Sequence, residues 1–152
     1  MTTLLLAHNM MLRRGLLRHL REISSLTPVL TQTPEWLLAA PAAEMPPAPV
    51  DFALLDCSGT DADPQVLVDT LCARLAPRRW LILCEASGSG VASYAARLGA
   101  SGCLTVPATP EQARAAVELV RAGGQCLPRS AFSMTPAPDP SPIRSGGSTA
   151  RG

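Results

Sequence analysis

The stretch Val50-Asp51-Phe52-Ala53-Leu54-Leu55-Asp56 decides the fold. After Asp51 every position is apolar until the run stops on a carboxylate. A strand with one wet face alternates apolar and polar residues. A short run that is apolar throughout belongs to a strand buried on both faces, as in a parallel sheet. Such a strand needs neighbours, and the sequence supplies them in both directions. Downstream, Asp63-Pro64 opens a helix with Val66, Leu67, Thr70, Leu71 and Leu75 expected on one face. Trp80 to Cys84 is a second apolar run. Gly88-Ser89-Gly90 precedes a helix from Val91 to Leu98, and Gly99 to Gly102 makes a stop and turn. Cys103 to Val106 is a third run, and Thr109-Pro110-Glu111 caps a helix that continues through Arg121 and ends at Gly123-Gly124.

Upstream the pattern repeats. Thr3 to Ala7 reads as a buried strand. Met10 to Ile23 places Met11, Leu12, Leu16, Leu20 and Ile23 at helical spacing among arginines. Pro28 to Gln32 reads as a strand, and Pro34 as the first residue of a short helix through Ala40, capped by Thr33. The Pro/Ala-rich stretch 41–49 is a connecting loop. Five strand–helix units in alternation imply an α/β fold, a five-stranded parallel sheet covered by helices on both sides. Functional groups in such sheets gather at the carboxyl ends of the strands. Here those ends are Ala7-His8-Asn9, Asp56-Cys57, Cys84-Glu85 and Val106-Pro107.

Composition narrows the function classes. Of 152 residues, 47% are hydrophobic and 16% charged, and the net charge is +1. That balance gives no electrostatic case for direct nucleic-acid binding. Runs such as Leu4-Leu5-Leu6 fall far short of the roughly 20 residues that cross a bilayer, and no signal peptide is visible, so a cytoplasmic chain is expected. The five cysteines, Cys57, Cys72, Cys84, Cys103 and Cys126, show no C-x-x-C spacing, which argues against a zinc site or a disulfide framework. Cys84 and Cys103 sit inside apolar runs and read as buried core residues. The sequence contains no lysine. Residues 1–130 are expected to form the folded domain. Residues 131–152, rich in Pro, Ser and Gly, are expected to be a disordered tail, because they offer too little apolar surface to offset ordering entropy.

Several stretches, in this order and spacing, resemble the receiver (CheY-like) domain of response regulators, in particular the LuxR/NarL type. They are Leu4-Leu-Leu-Ala-His-Asn9 with Leu12-Arg-Arg-Gly-Leu-Leu17, Asp51-Phe-Ala-Leu-Leu-Asp56, Leu98-Gly-Ala-Ser-Gly-Cys-Leu104, and Thr109-Pro-Glu111 with Ala122-Gly-Gly124. The resemblance covers roughly residues 1–130. It implies a flavodoxin-like (βα)5 three-layer sandwich and a place in two-component phosphorelay signalling or transcriptional control. It also implies a site: an aspartate that accepts a phosphoryl group, an acidic pair holding Mg²⁺, and a hydroxyl residue and a lysine that hold the phosphoryl oxygens. Asp56 stands at the acceptor position. The acidic pair falls on Ala7-His8, or on His8-Asn9, the hydroxyl on Cys84 and the lysine on Val106. None of these supplies the required group. The family's helix-turn-helix output domain has no counterpart in 131–152.

The resemblance therefore implies a degenerate receiver, a pseudo-receiver that works as a phosphorylation-independent protein-interaction module. It would have no cofactor and no catalytic residue, and its contacts, including a homodimer, would run through the fourth and fifth helices. Two alternatives stay open. In one, Asp56 still accepts phosphoryl groups from a histidine kinase, with Mg²⁺. In the other, His8, Asp56 and Cys84 form a small-molecule, soft-metal or nucleophile site. Asp56 also reads simply as a strand-end carboxylate, His8 as a solvated polar residue, and Arg13, Arg14, Arg18 and Arg21 as the wet side of the first helix or a face for an acidic partner. Trp36 and Trp80 are candidate partner anchors or packing residues.

Overall fold

The computed structural model describes residues 2–23, 28–85, 89–106 and 108–126. The elements run β1 (Thr3–Leu6), α1 (Met10–Ile23), β2 (Val29–Gln32), α2 (Trp36–Ala39), a 3₁₀ turn (Ala42–Glu44), β3 (Phe52–Asp56), α3 (Pro64–Leu75), β4 (Arg79–Glu85), α4 (Ser89–Arg97), β5 (Gly102–Val106) and α5 (Pro110–Arg121). All strand pairs are parallel and the sheet order is β2-β1-β3-β4-β5. This is the flavodoxin-like receiver fold. The order reverses between β1 and β3, which opens a crevice at their carboxyl ends.

The apolar strands are explained by what lies on each face. Successive side chains of a strand point to opposite faces. Leu5, Phe52, Leu54, Leu81 and Leu83 pack under α1 and α5, against Leu12, Leu16, Leu20, Ala113, Val117 and Val120. Leu4, Leu6, Ala53, Leu55, Trp80 and Ile82 pack on the other side, against Leu37, Leu67, Val68, Leu71, Leu75 and Ala95. Each fully buried leucine contributes roughly 1.5–3 kcal/mol of transfer free energy. Two details fix the helices in place. Thr109 and Gln112 form a reciprocal capping box at the start of α5. The Arg74 guanidinium of α3 donates to Leu37 O at 2.7 Å and Ala40 O at 2.8 Å, closing the carboxyl end of α2. Gly102 opens β5 because a Cβ there would lie 2.4 Å from Leu81 Cδ1.

Three local expectations are corrected, and one open alternative is decided. Met11 is 82% exposed, because the sheet-facing stripe of α1 is Leu12, Leu16 and Leu20, and Met11 lies a third of a turn away. On α3 the inward residue is Val68, whereas Val66 is 45% exposed for the same angular reason. Pro34 and Glu35 form a turn before α2 and are not its first residues. Thr33 serves through its carbonyl, accepting from Trp36 N at 3.1 Å, and its side chain caps nothing. Trp80 is 2% exposed, so it is a packing residue of β4 and not a surface anchor. Residues 131–152, the whole of the expected tail, lie outside the described residues, as do Gly88 and Pro107.

Candidate functional site

The crevice between β1 and β3 is where sheets of this order place their chemistry, and Asp56 ends β3 there. Asp56 is 1% exposed. One of its oxygens, Oδ1, accepts from Ser58 N at 2.9 Å and from Ser58 Oγ at 2.5 Å. This is a local turn closed by an aspartate on its own following residues. Burial pushes the Asp56 carboxyl above its ordinary value, more than the Ser58 hydrogen bonds and the nearby His8 charge pull it down. Next to it, Cys57 is buried, and desolvation, with the charges of Asp56 and Cys84, pushes its thiol up to about 12. Cys57 is therefore a protonated packing residue and not a nucleophile.

At the end of β1, Ala7 is buried. Its N–H donates to Gln32 O at 3.1 Å, and its carbonyl accepts from the Arg13 guanidinium at 3.1 Å. Asn9 is spent as a helix cap, its Oδ1 accepting from Leu12 N at 3.0 Å. His8 is half-exposed and its Nε2 lies 2.6 Å from Glu35 Oε1. The other Glu35 oxygen accepts from the Thr60 hydroxyl. Burial would raise the Glu35 carboxyl, but the hydrogen bonds from Thr60 and His8 outweigh it and hold the group below its ordinary value. The mouth is thus bridged by His8, Glu35 and Thr60, drawn from the loops after β1, β2 and β3.

The structure brings His8 close enough to Asp56 for its charge to be felt, but His8 pairs with Glu35. Cys84, at the end of β4, is buried with its Sγ 3.4 Å from Cys103 Sγ of β5. Val106 is half-buried on the α1/α5 side of the sheet. Asp63 caps α3 by accepting from Gln65 N at 2.9 Å, and Glu85 is exposed. Glu35 and Thr60 are the residues that sequence reasoning missed. The strand-end rule points to them, because the loop after β2 lies beside β1 in this sheet order.

These donors do not suit a hard divalent cation. Mg²⁺ takes carboxylate and water oxygens in a near-ideal octahedron. Here the first strand end offers an alanine, an imidazole and a capping asparagine. Asp56 is engaged by Ser58 at Oδ1, and the two Glu35 oxygens face His8 and Thr60. Among the described residues no group of three His, Cys, Asp or Glu side chains converges as a metal site.

Comparison with known proteins bears on the fold. No family model matches the sequence, and no curated protein does. Solved structures do. The RcsB response regulator of Salmonella typhimurium superposes with a TM-score of 0.65 at 16% identity, over 93% of this chain and 72% of that one. The isolated REC domain of RcsB from Salmonella enterica serovar Typhimurium, in the apo form, gives 0.62 at 14% identity, over 88% of this chain and 97% of that one. A LuxR family DNA-binding response regulator from Silicibacter pomeroyi gives 0.57 at 24% identity, over 86% and 99%. A further RcsB structure is matched over 64% of its length. The chain spans about two thirds of those longer RcsB chains and nearly all of the isolated domain. At these identities the likeness is one of fold.

Proposed function

We propose that this chain is a degenerate receiver, a pseudo-receiver that acts as a phosphorylation-independent protein-interaction module in bacterial signal transduction or transcriptional control, in the cytoplasm. One observation carries the reading. The buried Asp56 is closed on Ser58 through Oδ1, and the nearby His8 is paired with Glu35. A phosphoryl group arriving at Asp56 would bring close to two negative charges at neutral pH. The chain has no lysine to meet them, and by the resemblance Cys84 and Val106 fall at the positions from which the family holds phosphoryl oxygens. Fold and function separate in this way when a scaffold is kept and its site is not. The described residues contain no helix long and apolar enough to cross a membrane.

The partner that the fourth and fifth helices suit first is a second copy of the chain. Leu98, just after α4, and Leu119 on α5 are exposed. Beside Leu119, a groove of about 450 Å³ runs between β5 and α5, lined by Leu104, Thr105, Ala108, Gln112 and Ala116. Exposed apolar residues next to such a groove favour association. Residues 1–130 would be the interacting domain and 131–152 a disordered appendage.

Sedimentation of the full chain tests this. Self-association is expected to survive Asp56→Asn and to weaken more than tenfold in Leu119→Asp. Loss of association in Asp56→Asn with the fold intact would count against the reading. A second reading rests on the place of Asp56 at the switch point of the sheet. Under it the chain is a phospho-accepting receiver whose partner is a histidine kinase.

A further inference from the structure

The thiol pair Cys84–Cys103 takes no part in the mouth described above. Cys84 is 2% exposed and Cys103 3% exposed, on adjacent strands β4 and β5, with 3.4 Å between their sulfurs. We infer that these two cysteines form a reversible disulfide, and that this bond, not a phosphoryl group, sets the conformation of the β4–α4–β5 edge. The inference rests on the interaction-module reading only in its last step, where that edge is the contact surface.

Geometry supports the bond and predicts its character. A disulfide is about 2.05 Å long, so the sulfurs must close by little more than an ångström. In the ladder Cys103 stands opposite Ile82, and Cys84 opposite Thr105. The two cysteines are therefore diagonal neighbours. Diagonal Cα atoms in a sheet are roughly 7–8 Å apart, at or past the roughly 7 Å beyond which a bridge requires backbone movement. Closing the bond pulls the carboxyl end of β4 toward β5, just before the chain enters α4. A bridge made under that constraint belongs with the strained, easily reduced disulfides that regulate and do not staple.

The oxidant required is a hydroperoxide such as hydrogen peroxide. Cys84 is the penultimate residue of β4, beside exposed Glu85, and stands opposite Thr105 beyond Cys103, so it is the sulfur nearer the mouth. The hydrogen bond shared by the two sulfurs outweighs burial and holds the Cys84 thiol below its ordinary value, and the same contact, with burial, raises Cys103. Cys84 as thiolate attacks one peroxide oxygen and the O–O bond breaks, leaving a sulfenic acid and hydroxide, which takes up the proton that Cys84 shed and leaves as water. The Cys103 sulfur then attacks the Cys84 sulfur. The S–S bond forms, the S–O bond breaks, and the hydroxyl departs as water with the Cys103 proton. Two thiols are oxidised to one disulfide and one peroxide is reduced to two waters.

The test uses the full chain, treated with hydrogen peroxide, alkylated and digested with trypsin. The absence of lysine confines cleavage to arginines, which places Cys84 in residues 80–97, Cys103 in 98–114, Cys57 and Cys72 together in 22–74, and Cys126 in 122–129. The expected product is 80–97 joined to 98–114, released by dithiothreitol and absent in Cys103→Ala. If that variant fails to fold, the wild-type map still decides. No cross-link, or a dominant link through Cys57, Cys72 or Cys126, overturns the inference. Hydrogen exchange then reads the switch. Amides of α4 and the end of β4 are expected to change at least tenfold on oxidation. A cross-linked chain with unchanged exchange overturns the switch. The interaction reading is judged separately, by sedimentation of the reduced chain.

Discussion

The interior of the sheet and the carboxyl ends of its strands obey different rules. Inside, Leu4, Leu5, Leu6, Leu54, Leu55 and Ile82 fill two packed layers, and any apolar side chain of suitable volume meets the demand. At the mouth the demand is chemical and positional. On the proposed reading, Ala7, His8, Cys84 and Val106 keep the places of the strand ends without the groups that would hold a phosphoryl group. A fold is maintained by many interchangeable contacts, whereas a phospho-acceptor site depends on a few groups that nothing else replaces. A scaffold can therefore persist when such a site is lost, which is the case proposed for this chain.

That contrast can be broken by mutation. The largest effect is expected inside. Leu54→Ala removes a fully buried side chain under α1 and α5 and should cost about 2–5 kcal/mol in chemical denaturation. A loss near zero would mean the core is not packed as described. Thr109→Ala breaks the capping box of α5 and should cost about 0.5–2 kcal/mol by the same measurement. The smallest effect should come from the mouth. Truncating the half-exposed His8–Glu35 pair, as in His8→Ala, should cost under about 1 kcal/mol.

The two carboxyls of the mouth sharpen the comparison through pH. Asp56 has a raised folded value, so the native state holds its proton more tightly than the unfolded chain. Its contribution is most favourable below the ordinary value of 3.8 and turns unfavourable as pH rises through the folded value. Asp56→Asn should therefore raise the unfolding midpoint at pH 7, with the gain shrinking as pH falls below that value. Glu35 has a lowered folded value, so its stabilisation is present above the ordinary 4.5 and is lost as pH falls through the folded value. Glu35→Gln should destabilise slightly at pH 7 and converge with wild type in acid. Thermal melts between pH 3 and 7 would show the two variants moving in opposite directions. Parallel behaviour would contradict the assignment.

Much of this architecture is legible in the sequence. The strands announce themselves because a parallel sheet buries both faces, and Thr109-Pro110 with Gly123-Gly124 brackets α5 by its caps. Met11 and Val66 mislead because hydropathy marks apolar residues without giving their angle on the helix. Pro34 misleads because proline suits a turn as well as a first helical position. Asp56 is legible as a strand end, but its closure on Ser58 is not. The His8–Glu35–Thr60 bridge joins three loops distant in sequence, so only the sheet order reveals it. The Cys84–Cys103 contact likewise depends on the register of β4 against β5, which no local pattern encodes.

The central claim, that Asp56 is not a working phospho-acceptor, is tested most directly by incubating the full chain with acetyl phosphate and Mg²⁺ and reading its intact mass. The account predicts an unchanged mass. An added phosphoryl group that disappears in Asp56→Ala would contradict it.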